Sequence, residues 1–174
     1  TGAGSGMGKE MAIQLRQLGA KLALNDWNET ALQETVLQLG LDNKHVQNHA
    51  FDVGDRKEMY DFAAQVVQHF GQVDVVINNA GIALAPKTIE RTSYEDFEKV
   101  VRINMWGMIY GTKAFLPYLK QRPAAAIANV SSVFGMMGYP SQGPYVTTKF
   151  AIRGFTETLR IELANTNITV SSVH

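Results

Sequence analysis

Thr1-Gly2-Ala3-Gly4-Ser5-Gly6-Met7-Gly8 opens the chain, and the helix-forming stretch Lys9–Leu18 follows it directly. A glycine-rich turn running into a helix suits a backbone that must close around a phosphate. Glycines remove the Cβ from the line of approach, and free amides at the helix start, with the positive end of the dipole, meet the charge. A P-loop would need glycine at position 3 and serine or threonine at position 10, where Ala3 and Glu10 stand. The spelling Gly-x-Gly-x-x-Gly fails because Met7 occupies its third glycine site. What fits is Thr-Gly-x-x-x-Gly-x-Gly, with Gly2, Gly6 and Gly8 as its glycines and Ser5 and Met7 between them.

Beyond that turn, strands and helices alternate. Met11, Ile13, Leu15 and Leu18 suit a packed helix that Gly19 ends. Lys21–Leu24 is a short strand. Asn28 caps a helix over Glu29–Leu39, with Leu32, Val36 and Leu39 on one face and Gly40 behind it. Val46–Val53 is a strand, and Asp55 with Glu58 starts a helix over Arg56–Phe70. Val73–Ile77 is a buried strand, and Asn78–Pro86 a loop. Ser93 with Asp96 starts a long helix reaching about Gln121. Ala125–Val130 is a strand, Ser131–Pro144 a loop, Tyr145–Asn165 a second long helix and Ile168–Val173 a last strand. Apolar strands alternating with helices indicate a single α/β domain over residues 1–174, a doubly wound parallel sheet in three αβα layers.

Composition sets outer limits. Sixteen Lys and Arg balance sixteen Asp and Glu, which leaves no basic excess for nucleic acid. There is no cysteine, so disulfide and thiolate chemistry are excluded, in keeping with a reducing, cytoplasmic setting. No apolar run reaches the ~18 residues of a membrane span. His45, His49, His69 and His174 form no clear metal set.

Two further groups carry chemistry. Asp26 follows the second strand about 20 residues after the glycine turn, where a carboxylate can accept from an adenosine ribose diol. It would repel a 2′-phosphate, and no Lys or Arg at Ser5, Trp27 or Asn28 compensates. Tyr145 and Lys149 stand at i and i+4 on one helix face. A free phenol titrates near 10, and acid–base work at neutral pH asks for a value about three units lower. One ammonium ~4 Å away, at an effective dielectric near 20, supplies about 4 kcal/mol toward that. Ser132, just past the strand Ala125–Val130, stands where open α/β sheets bind ligands, and its hydroxyl can meet a substrate oxygen. Ser131 next door is the alternative, but it lacks the thirteen-residue spacing that separates Ser132 from Tyr145.

With these motifs in order, the sequence resembles the short-chain dehydrogenases/reductases of the common single-domain branch. The matches span nearly the whole chain: residues 1–8, Asp26, Asp52-Val53, Asn78-Asn79-Ala80-Gly81, Asn104, Asn129-Val130-Ser131-Ser132, and Tyr145 with Lys149. Met7 replaces the usual Ile or Leu, and Thr147 the usual Ala or Ser. The resemblance implies NAD as cofactor and Tyr145 as general acid/base. Lys149 would lower the tyrosine pKa and hold the nicotinamide ribose, Ser132 would orient the carbonyl, and Asn104 would hold a water that links Lys149 to solvent. Asp52 and Val53 would contact adenine, and Asn79, Ala80 and Gly81 would line the cofactor.

The function so implied is NAD(H)-dependent interconversion of a secondary alcohol and a ketone, acting on a small-molecule carbonyl or alcohol. A non-catalytic dinucleotide-binding protein on the same fold is the alternative. Ile82, Ala83, Leu84, Phe134, Met136, Met137 and Tyr139 are the apolar residues expected near a substrate. Dimers or tetramers through the two long helices are the family's habit. The fold also expects a strand before Thr1, at the centre of the sheet, and a further strand and substrate-covering segment after His174.

Overall fold

The computed structural model describes residues 1–40 and 44–174. Its elements are α1 (Gly6–Gln17), β1 (Leu22–Asp26), α2 (Glu29–Leu39), β2 (Val46–Ala50), α3 (Arg56–Phe70), β3 (Val75–Asn78), α4 (Tyr94–Val100), α5 (Gly107–Leu119), β4 (Ala125–Val130), α6 (Gly143–Glu162) and β5 (Ile168–Val173). The caps follow from the side chains present. Asn28, Asp55 and Ser93 accept from the main-chain N–H of Ala31, Glu58 and Asp96 at 3.0–3.1 Å. Gly40 and Gly71 close α2 and α3 in the left-handed conformation.

All described strands run parallel, in two sets. β1 pairs β2 from Leu22↔Val46 to Asp26↔Ala50. β3 pairs β4 from Val75↔Ala126 to Asn78↔Asn129, and β4 pairs β5 from Ala125↔Ile168 to Val130↔Val173. Between β1 and β3 lies a gap where this fold class places its first strand. Residues 1–3 bridge it at the carboxyl end: Thr1 N donates to Ile77 O at 3.0 Å and Ala3 N to Asn25 O at 2.9 Å.

Two apolar clusters correspond to the two sets of strands. One gathers Met59, Phe62 and Val66 of α3, Phe115 and Leu119 of α5, Ile127 of β4, Leu159 of α6 and Val170 of β5. The other gathers Ala12, Leu22, Leu24, Leu32 and Val46. Each fully buried side chain of this size contributes roughly 1.5–3 kcal/mol. No helix among the described residues is long and apolar enough to cross a membrane.

Among the boundaries that differ from the sequence expectation, two have a local reason. The strand expected over Val46–Val53 stops at Ala50, because beyond it the Asn25 side chain donates to Phe51 O at 2.9 Å in place of a ladder partner. The long helix expected from Ser93 is broken by a π turn over Val101–Trp106, where Gly107 N–H reaches back to Arg102 O. The wider turn carries Asn104 onto the loop after β3.

Candidate active site

The strands' carboxyl ends and the loops after them form one rim, and the glycine turn lies across it. Gly2 has φ +69°, and a Cβ at Gly8 would stand 1.9 Å from Gly2 O, so neither position admits a side chain. Ser5 precedes α1 without capping it, which leaves the amides of the first turn uncommitted by a side chain. The Thr1 hydroxyl accepts from Asn79 N and Ala80 N at 3.1 and 3.0 Å, and Asn79 Nδ2 donates to Thr1 O at 2.9 Å. Asp26, almost fully buried, accepts from Gly4 N at 2.8 Å and Asn28 N at 2.9 Å. The carboxylate therefore also fixes the glycine turn, and its remaining lone pairs are the ones open to a ribose. An uncapped helix start, a cradle that a Cβ would fill and an adjoining carboxylate fit a dinucleotide.

Asp52 and Val53 continue the rim from β2. Burial pushes the Asp52 carboxyl up, but the Arg102 guanidinium at 2.8 Å and the Gly54 amide outweigh it and hold the carboxyl below its usual range. Val53 is buried against Gly107, where a Cβ would stand 2.6 Å from Val53 Cγ2.

Lys149, 3% exposed, donates from Nζ to Val130 O at 2.8 Å, and Nζ lies 5.3 Å from the centre of the Tyr145 ring. Burial lowers its pKa from the ordinary lysine value to about 8. Asn104 is fully buried and clamps the loop after β3. Its Oδ1 accepts from Ile82 N at 2.8 Å, and its Nδ2 donates to Ile82 O at 2.9 Å and to Thr148 Oγ1 at 3.1 Å. A Cβ at Gly81 would stand 3.3 Å from Asn104 Oδ1 and 3.5 Å from Lys149 Nζ, so glycine leaves the space between them open.

Ser132 lies in extended backbone at the end of β4, and its Oγ accepts from Phe134 N at 3.1 Å. Phe134 meets the Tyr145 ring edge-on at 6.3 Å and stacks on Tyr139 at 4.7 Å. Ser131 is a structural residue: buried, it donates to Lys149 O at 2.9 Å and ties α6 to β4. Tyr145 is half-buried in the first turn of α6, which begins two residues earlier than expected, at Gly143.

Some supporting residues carried no signal in the sequence. Asn78 Nδ2 donates to Thr112 Oγ1 and Asn129 Oδ1, and Asn129 Nδ2 donates to Thr156 Oγ1, a buried polar chain from α5 through β3 and β4 to α6. Thr112, Thr156 and Arg102 look like ordinary helix residues in one dimension. Phe134 was expected near a substrate but not as the partner of Ser132.

The model of the short chain dehydrogenase family matches residues 1–174. The chain is 40% identical to SadH of Mycobacterium tuberculosis, over 100% of this chain and 63% of that protein. It is 36% identical to a 3-oxoacyl-[acyl-carrier-protein] reductase, FabG, of Thermotoga maritima, over 99% of this chain and 70% of that one. Among solved structures, a short chain dehydrogenase/reductase from Burkholderia phymatum in complex with NAD superposes with a TM-score of 0.94 at 34% identity, over 98% of this chain and 62% of that chain. The chain thus spans slightly less than two thirds of the length of SadH and of the Burkholderia protein.

Proposed function

Because the chain belongs to the short-chain dehydrogenase/reductase family, we propose that it is an NAD(H)-dependent oxidoreductase interconverting a secondary alcohol and a ketone. The observation that carries this reading is the lysine beside the phenol. Lys149 is buried with its pKa lowered to about 8, and its Nζ is held on Val130 O beside the Tyr145 ring. Burying a cation costs stability, and such costs cluster where chemistry needs them. The NAD-bound neighbour from Burkholderia phymatum and an NADH complex of a 3-ketoacyl-(acyl-carrier-protein) reductase from Brucella melitensis, 28% identical with a TM-score of 0.93, support the choice of cofactor.

Bound NAD(H) would supply or accept the hydride. The turn around Gly2, Ser5, Gly6, Met7 and Gly8 holds its pyrophosphate, Asp26 the adenosine ribose, Asp52 and Val53 the adenine, and Asn79, Ala80 and Gly81 the far side. In reduction the Tyr145 hydroxyl gives its proton to the substrate oxygen, and in oxidation it takes the proton back. The Lys149 ammonium stabilises charge developing on the phenol oxygen and reaches the nicotinamide ribose. Ser132, its oxygen already accepting from Phe134 N, has its proton free to donate to the substrate carbonyl. The Asn104 side chain is committed to Ile82 and Thr148, so a water linking Lys149 to solvent would rest on main-chain rather than side-chain atoms of this residue. The same reading extends to a small-molecule substrate, a cytoplasmic location and a dimer or tetramer built on α4, α5 and α6.

The test is to follow nicotinamide absorbance with the full-length protein and a panel of ketones. Tyr145→Phe is expected to remove nearly all turnover with NADH binding retained. A wild-type protein that binds NADH but reduces no ketone overturns the enzymatic reading in favour of a binding role. Tyr145→Phe activity within about tenfold of wild type gives the acid to another group.

A further inference from the structure

We propose that His174 is a positioning residue for Ser132, a role that rests on the reading of Ser132 as the carbonyl-orienting group. Main-chain pairing of β4 with β5 ends just beyond Val130↔Val173, with Ser131 N donating to Val173 O at 2.8 Å. Past that point Ser132 leaves the sheet for the short turn Val133–Gly135. Its carbonyl there accepts from Gly135 N at 2.8 Å within the turn, and the His174 ring adds a second contact from the β5 side: Nδ1 lies 3.1 Å from Ser132 O. A carbonyl can only accept, so Nδ1 carries the proton.

Ser132 is thus held from two directions. β5 reaches its carbonyl through the His174 ring, and the following turn reaches its hydroxyl oxygen through Phe134 N–H. Together these contacts fix the Ser132–Val133 peptide plane and the position of the hydroxyl oxygen, which decides where the free hydroxyl proton points. The ring of Phe134 rests edge-on against Tyr145, so the same turn registers the serine against the phenol. A lateral error of about an ångström between such groups costs rate far more than it costs binding. Because both the Nδ1–H tautomer and the imidazolium donate from Nδ1, the hold does not depend on the charge of the ring. Asparagine can place Nδ2–H near the same point, whereas phenylalanine keeps the ring and loses the donor.

The experiment compares His174→Phe and His174→Asn in the full-length enzyme. His174→Phe is expected to lower kcat for ketone reduction about five- to tenfold, the size of one lost hydrogen bond, with the Kd for NADH within about twofold of wild type. His174→Asn is expected to restore kcat to within about twofold. An unchanged kcat in His174→Phe, or an Asn variant as slow as the Phe variant, overturns the proposal. Nitrogen NMR of the neutral His174 ring gives a reading independent of turnover. Protonation at Nδ1 is expected, and an Nε2–H tautomer overturns the assignment. A wild-type protein with the Nδ1–H tautomer but no ketone reductase activity would refute the enzymatic reading and leave the contact standing.

Discussion

Lys149 and Asp26 each hold a structural contact, and the proposed function gives each a chemical duty beside it. The lysine's folded pKa of about 8 lies below its ordinary value of 10.5, so between those two pH values the unfolded chain holds more protons than the folded one. Stability therefore rises as pH climbs through that window, and the full cost of the buried charge, about 3 kcal/mol, is present below pH 8. Denaturant melts against pH are expected to show this rise in wild type and to lose it in Lys149→Met, which also binds NADH more weakly. Equal slopes would mean that Lys149 is not buried as a cation. Asp26, whose oxygens accept from Gly4 and Asn28, is expected to make NAD(H) preferred over NADP(H). Comparing kcat/KM for both cofactors checks this; better use of NADP(H) by wild type overturns it. Asp26→Ala with Ser5→Arg should shift preference toward NADP(H), and the loss of the bond to Gly4 should weaken both cofactors.

The α4–π–α5 unit makes the same point for an element. The Asn104 amide satisfies both main-chain groups of Ile82, so Asn104→Ala leaves that N–H and C=O without partners. The expected loss is about 2–4 kcal/mol, read by chemical denaturation; a loss below about 0.5 kcal/mol would show that water replaces the clamp. Gly8→Ala tests the glycine turn. Its Cβ would meet Gly2 O at 1.9 Å, a backbone atom that cannot swing away, so NADH binding is expected to fall beyond detection. Helix starts at Asn28, Asp55 and Ser93 were legible because their causes are three residues away. The π turn was not, because its partner Ile82 lies 22 residues back along the chain.

For the whole molecule, the gap between β1 and β3 is decisive. Each strand has one edge turned to that slot, and Val75, in a strand of a kind usually buried on both faces, is 55% exposed. Each main-chain group left without a partner costs about 1–3 kcal/mol, against a typical total stability of ~5–15 kcal/mol. Residues 1–174 expressed alone are expected to melt broadly, and a chain that supplies a strand for the slot to melt in one sharp transition. A sharp calorimetric transition from the 174 residues alone would show the slot to be dispensable.

The sequence by itself determined the parallel α/β class, the glycine turn, and the pairing of Tyr145 with Lys149, because each is written in short-range pattern: apolar runs, glycine spacing, one helical turn. Asp26, Ser132 and Asn104 could be named in one dimension, but what they touch could not. Only the tertiary structure decided that Asp26 holds Gly4, that Asn104 grips Ile82, that Ser131 is structural while Ser132 faces Phe134, and that His174 reaches Ser132. Apart from the local bond between Ser132 and Phe134, those contacts join residues 18 to 42 positions apart, and a polar atom takes whichever partner the packed helices and strands bring to it.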